Sequence, residues 1–322
     1  MYPLLMSKVL KEKVWGGRVL DDLLKIPLAE GKIYGESWEL SSHPNGPSAV
    51  VNGPWKGQTL PQLLEREGPK LLGPEVFFRF GGKFPLLIKY LDVHDRLSVQ
   101  VHPSDAYAQE HEGEWGKSEC WYVLRASPDA RLILGLAEGI SREVFQERVS
   151  QKKWKGLFRE VSVHTGDFVQ ILPGTVHASV AGSVLLCEVQ QNSDTTYRIW
   201  DFDRLEKGVP RPLHLDKALD VINFEARPVP KPALSRPWEV HEGVDWQPLV
   251  NDPLYAAALV HLTQGWRSPA RASFRSYSLL EGSGKLTGAK KTWAVQAGQT
   301  WLVPAGVETE WEGNLTLLAA WS

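Results

Sequence analysis

The sequence predicts a mainly β fold: two jelly-roll units joined by a proline-rich connector, with a few short helices. Three observations carry this. Short apolar runs recur, each bounded by Gly, Pro, Asn or Asp, as short strands are. Helical periodicity is scarce by comparison. A weak internal repeat relates GDFVQILPGTVH (166–177) to GQTWLVPAGVE (298–308). Each copy reads Gly, a strand, then Pro with Gly and Val nearby, but the first ends in His177 and the second in Glu308. Composition agrees, because 14 Trp and 28 Gly against 2 Met favour strands and turns over helices.

Taken in chain order, the first helix is expected where Thr59 can cap TLPQLLEREG. Pro61 falls in its first turn, Leu60, Leu63 and Leu64 form its apolar stripe, and Gly68 is its expected stop. Strands follow over LLIKYLDV (86–93), RLSVQVH (96–102), CWYVLRA (120–126) and ARLILGL (130–136). Ser141 caps a second helix within SREVFQERVSQKKWKGLF, where Val144, Phe145, Arg148 and Val149 recur at helical spacing. Two further strands are expected at DFVQILP (167–173) and SVLLCEVQQ (183–191). Residues 224–237, FEARPVPKPALSRP, read as an extended connector because their alternating prolines stiffen the chain. It divides the chain into residues 1–237, connector included, and residues 238–322.

Several function classes are excluded or disfavoured early. At 322 residues the chain can bury a core without staples. A net charge of -2 argues against a general nucleic-acid binder. Cys120 and Cys187 each lie in an apolar run and read as buried small hydrophobes. Lys8 interrupts the apolar start, so no signal peptide is expected, and no apolar stretch is long enough for a membrane span. A cytoplasmic location is the expectation.

The candidate chemistry sits on strands. In Leu97–His102 the side chains alternate, so Ser98, Gln100 and His102 share one face. That face either meets solvent or lines a barrel interior. Lys117 and Glu119 share a face entering the next strand, His177 follows the Pro173-Gly174 turn, and Glu188 shares a face with Gln190. Two His with a Glu and a Gln suit Zn²⁺, and a three-ligand version with an open position also suits Fe²⁺ or Mn²⁺. Gly116-Lys117-Ser118 is not the end of a phosphate loop, because the position that needs Gly holds His111.

With these residues in view, the chain resembles the type I phosphomannose isomerases, the mannose-6-phosphate isomerases, in their short bacterial form. The likeness runs through KVWGG (13–17), GESWELS (35–41), FPLLIKYLD (84–92), LSVQVHP (97–103), GKSECWYVL (116–124), LPGTVHA (172–178) and NSDTTYRIWDF (192–202). The resemblance implies a cupin-type fold and one Zn²⁺ per chain held by Gln100, His102, Glu119 and His177. It implies Arg198 as the active-site arginine, Ser98 and Lys117 as substrate contacts beside it, and Glu188 and Asp194 as acidic active-site residues. It implies a catalytic first unit and a smaller C-terminal jelly roll without a metal site. The implied reaction interconverts mannose 6-phosphate and fructose 6-phosphate through a cis-enediol. The expected partner is a small phosphosugar, not nucleic acid or membrane, and the expected state is monomer or homodimer. Two rivals stay open: a non-haem metal oxygenase using His102, His177 and Glu119, and a non-catalytic sugar-phosphate-binding cupin.

Overall fold

The computed structural model describes residues 1–206, 208–233, 239–241 and 243–322. Strands outweigh helices, 41% against 17%, so the fold is mainly β as the sequence predicts. A seven-stranded sheet runs in the order Lys231–Pro232, Asp167–Ile171, Glu119–Ala126, Val184–Gln191, Leu86–Val93, Glu36–Leu40 and Val9–Lys11. A five-stranded sheet runs Tyr197–Trp200, Val99–Val101, His177–Ala181, Arg131–Leu136 and Phe158–Ser162. A single apolar cluster draws on both, joining Val99, Val101 and Leu134 to Trp121, Val123 and Leu186.

The seven-stranded sheet has a second buried face. Leu86, Ile88 and Tyr90 alternate with Lys89 along one strand, and Leu185, Cys187 and Val189 alternate with Glu188 along its neighbour. The apolar set of each strand packs against Leu60, Leu63 and Val76 of the helices and against Leu259, Leu302 and Leu318 of the C-terminal sheet. Both cysteines are buried here and unpaired. The polar set is thereby left on the opposite face, toward the five-stranded sheet.

Residues beyond 239 supply most of a third sheet. Its edge is completed from the start of the chain, where Leu4 pairs with Leu302 and Leu5 with Trp301. The internal repeat has a structural counterpart. Gly166 and Gly298 open the strands Asp167–Ile171 and Thr300–Val303 at φ 87° and 82°. Gly174 and Gly306 turn the chain after them at φ 84° and 72°.

The helices depart from expectation in detail. A short helix at Val19–Leu24 is not among those expected, and the first expected helix spans Leu60–Leu72 and passes through Gly68. Gly68 is a packing position and not a stop, because a Cβ there would lie 2.2 Å from the Phe77 ring. The Thr59 cap is reinforced by Gln62, which accepts the Thr59 amide at 2.9 Å, and Gly73 terminates the helix. Ser141 accepts the Val144 amide at 3.3 Å at the start of Arg142–Ser150. Phe145 and Val149 are buried there, whereas Val144 is 37% exposed and stands off the stripe. Of the connector, Lys231–Pro232 is extended and pairs with Asp167–Phe168, while residues 234–237 lie outside the described residues. Among the described residues no helix is long and apolar enough to cross a membrane.

Candidate active site

Two rows of cross-strand neighbours build the site. On the seven-stranded sheet Glu188 pairs in register with Lys89 on one side and Trp121 on the other, and Glu119 pairs with Gln190. On the five-stranded sheet Gln100 pairs with Arg198 on one side and His177 on the other. Cross-strand partners share a face, so each row gathers polar side chains from distant parts of the sequence. The strand carrying Gln100 is only Val99–Val101, and His102 follows it directly. Backbone bonds then tie the segments together. Gly174 donates its amide to the His102 carbonyl at 2.9 Å, and Lys117 donates to the Pro103 carbonyl at 3.0 Å. A side chain at Gly174 would be strained at its positive φ and would meet the Val221 carbonyl at 2.8 Å.

The polar face of Ser98, Gln100 and His102 lines the interior, with Ser98 and His102 buried. His102 Nδ1 lies 3.0 Å from the Thr195 carbonyl, and His177 Nδ1 lies 2.8 Å from the Thr175 carbonyl. A carbonyl only accepts, so each Nδ1 carries the proton and each Nε2 presents a lone pair. Those lone pairs converge on Glu119: His177 Nε2 is 3.2 Å from Oε1 and His102 Nε2 is 3.6 Å from Oε2. Burial keeps both imidazoles neutral. It pushes His177 down to about 4, with Lys117 adding to the effect, and drives His102 well below its ordinary range, with Lys117 and His177 adding.

The ligand atoms of His102, Glu119 and His177 lie within 4.8 Å of one another, and all three residues are buried. Neither Glu119 oxygen accepts a hydrogen bond of good geometry, although Lys117 Nζ is 2.6 Å from Oε2. Two neutral imidazoles and an under-satisfied buried carboxylate are the donor set of a divalent metal site, so the residues fit such an ion. Gln100 borders the triad. Its Nε2 is 3.2 Å from His177 Nε2, and its Oε1 accepts from Ser98 Oγ at 3.3 Å.

A cavity of ≈ 270 Å³ opens beside the triad, lined by Ser98, Gln100, Lys117, Glu188, Asp194 and Arg198. All nine site residues singled out in the sequence therefore meet at one place. Glu188 Oε2 accepts the Trp121 indole N–H at 2.8 Å, and its Oε1 makes no hydrogen bond. Lys89 and Lys117 stand 3.6 and 3.7 Å from that oxygen. Burial, then the neighbouring Glu119, raises the Glu188 carboxyl above its ordinary range against the opposing lysines. Burial acts to lower Lys117, but Glu119 and Glu188 outweigh it and raise the amine, which stays an ammonium. Arg198 donates Nη1 to the Pro212 carbonyl at 2.8 Å, while its Nε is buried without a partner. Burial and the nearby Arg211 both press on its positive charge. Asp194 is exposed at the rim and accepts from Asn45 Nδ2 at 2.9 Å.

Lys13, Glu36, Lys89 and Arg211 also line the cavity, and sequence reasoning gave them no role. Lys89 carried a signal, since it is a lone cation inside an apolar strand and is rarely buried without a partner. In the C-terminal copy of the repeat, Glu308 is 48% exposed at its side chain and ion-pairs with Arg267.

Fold and site together define a mainly β protein of several sheets with a buried two-histidine, one-carboxylate candidate metal centre beside a cavity lined by charged side chains. Comparison with known proteins narrows this class. Residues 4–124 match the model of the phosphomannose isomerase type I catalytic domain. The chain is 35% identical to the mannose-6-phosphate isomerase of Streptococcus mutans over 99% of this chain and 98% of that protein. It is 37% identical to the mannose-6-phosphate isomerase ManA of Bacillus subtilis over 95% of this chain and 94% of that protein. The crystal structure of the mannose 6-phosphate isomerase from Bacillus subtilis superposes with a TM-score of 0.88 at 35% identity, covering 99% of both chains. The chain belongs to the type I phosphomannose isomerase family.

Proposed function

We infer that the protein is a mannose-6-phosphate isomerase, an aldose–ketose isomerase that interconverts mannose 6-phosphate and fructose 6-phosphate through a cis-enediol. The observation that carries this reading is the convergence of the His102 and His177 lone pairs on Glu119 beside a small cavity walled by Lys117, Arg198 and Glu188. The small phosphosugar follows from the family.

We assign the metal to His102, His177 and Glu119, with Gln100 as the fourth ligand through its amide oxygen and Zn²⁺ as the ion. Bound there, Zn²⁺ would supply Lewis-acid stabilisation of charge on the sugar oxygens. The chain's own groups divide the remaining work. Lys117 and Arg198 hold the negative charge of the phosphate or of the developing enediolate, and Ser98 contributes a further substrate contact. Lys117 is unsuited to act as the base, because its carboxylate neighbours keep it protonated. Glu188 is better placed: it lines the cavity, Trp121 fixes one of its oxygens, and the other accepts no hydrogen bond from the described residues, so this carboxylate can take the proton from carbon 2 and return it at carbon 1. Asp194 acts at the rim.

The division of labour we favour keeps catalysis in residues 1–237, a cupin-type jelly roll, with residues 238–322 as a smaller jelly roll without a metal. A cytoplasmic monomer or homodimer suits a metabolic isomerase. The oxygenase and non-catalytic readings are not favoured, because the family match spans nearly the whole chain. The decisive experiment is a coupled isomerase assay on mannose 6-phosphate with and without chelator, beside metal analysis of the purified protein. Activity lost on chelation and restored by Zn²⁺ is the expected result. No turnover from a metal-loaded chain would overturn the reading.

A further inference from the structure

A hydrogen-bonded chain reaches the candidate metal centre from outside the cavity. It starts at His43, a buried residue on the loop after strand Glu36–Leu40. The Asn45 backbone N–H donates to His43 Nδ1 at 3.1 Å, so the ring carries its proton on Nε2 and donates it to Glu114 Oε1 at 2.7 Å. The other oxygen, Glu114 Oε2, accepts from Thr195 Oγ1 at 2.7 Å and from Ser193 Oγ at 3.3 Å. The Thr195 carbonyl is in turn the acceptor for His102 Nδ1. One carboxylate therefore grips the Ser193 and Thr195 hydroxyls of the loop that joins strand Val184–Gln191, which carries Glu188, to strand Tyr197–Trp200, which carries Arg198. A second arm leaves the same histidine, since Asn45 also holds the Asp194 carboxylate.

We propose that Glu114, oriented by His43, is a positioning residue that sets the Thr195 carbonyl and through it aims His102 Nε2 at the metal. This rests on the assignment of His102 as a ligand. Three features favour positioning over plain stabilisation. The Glu114 side chain is 33% exposed, so its hydrogen bonds to His43, Ser193 and Thr195 compete with water and each adds only modestly to folding. Its two oxygens are committed to opposite partners, one fixed and one on the loop, as a clamp requires. The peptide it orients bears the acceptor that selects the His102 tautomer, and partners of that kind tune metal affinity.

The test is Zn²⁺ affinity of the full chain, measured by competition with a chromophoric chelator, together with the visible spectrum of the Co²⁺-loaded protein. Glu114→Ala should weaken Zn²⁺ about 10- to 100-fold and shift the Co²⁺ bands. Thr195→Val removes the hydroxyl at nearly constant volume and keeps the backbone carbonyl, so it tests the link even if Glu114→Ala folds poorly. It should weaken Zn²⁺ roughly tenfold, and the double variant should be no weaker than Glu114→Ala alone, because both break one chain. Thr195→Ser should restore affinity to within about twofold. Unchanged affinity and spectrum in both single variants, or fully additive losses in the double, would overturn the proposal. His102→Ala is the reference. If it retained Zn²⁺, the ligand assignment itself would fall and this inference with it; if it lost Zn²⁺ while the clamp variants did not, only this inference would fall.

Discussion

Gln100 and His177 stand opposite one another on neighbouring antiparallel strands, with their Nε2 atoms 3.2 Å apart. An amide N–H₂ facing an imidazole lone pair makes a neutral hydrogen bond. A cation bound to His177 would compete for that lone pair, and Gln100, as the proposed fourth ligand, would serve it through its amide oxygen. Removing His177 should therefore abolish metal binding and turnover, whereas Gln100→Ala should weaken metal affinity by about tenfold and leave residual activity. Metal content after dialysis, followed by competition with a chelator, distinguishes the two; full occupancy in His177→Ala would remove this site from consideration.

Arg198 lines the cavity beside a second cation, Arg211, and its buried Nε has no hydrogen-bond partner among the described residues. Such a group gains most when an anion arrives. Arg198→Ala should lower turnover by about 10²-fold or more and leave metal content unchanged. Near-normal kcat with mannose 6-phosphate would sink the role.

Glu188→Gln preserves shape and the hydrogen bond from Trp121 but cannot take a proton. Turnover should fall about 10²- to 10⁴-fold with phosphosugar binding retained. Proton exchange between solvent and the sugar's carbon 1 or carbon 2 should stop with it; persistence of that exchange would point to another base.

Glu36 gives the fold a defined acid limit. Burial alone would raise its carboxyl, but Lys89, Lys13 and the Trp38 indole N–H outweigh it and hold it at about 2 instead of 4.5. A carboxyl lowered in the folded state contributes stability that is complete above its unfolded value. That contribution is lost as pH falls from about 4.5 toward about 2. Glu36→Gln should thus cost up to about 3 kcal/mol at pH 7 and almost nothing near pH 2. Denaturant melts of both proteins across that range provide the check, and a pH-independent difference would refute the ion-pair account.

Gly174 is held at φ 84° with its amide on the His102 carbonyl and no room toward Val221. Gly174→Ala should destabilise by about 1–3 kcal/mol and weaken metal binding together, because one turn seats both histidines. Thermal melts with and without Zn²⁺ would show the two losses moving in step.

Much of the site was legible because strand alternation is a strict rule. Gln100 and His102 fall on one face and Glu188 shares a face with Gln190 on another strand; the closing of the sheets turns both faces inward and brings them together. The resemblance to a known family supplied the roles. What stayed hidden depends on distance in sequence. His43 and Glu114 look like ordinary loop residues, and nothing local says that one will hold the other against Thr195. Lys13 and Glu36 lie inside recognised motifs, yet only the assembled sheet turns them toward the same cavity. Gly68 misled for a simpler reason: glycine ends many helices, but here the Phe77 ring fills the space a side chain would need.

The pairing of Leu4–Leu5 with Trp301–Leu302 has a consequence for biogenesis. These partners are separated by about 300 residues, and contacts of such long range come late and slowly. On the ribosome the first residues emerge long before their partners are made. Leu5 and Met6 meet Val50–Asn52 early on one side, but the side that faces Trp301–Leu302 must wait until the final sheet is nearly complete. A nascent chain halted before residue 301 therefore leaves one side of this strand open, and completing Thr300–Val303 is what seals that side away from neighbouring chains.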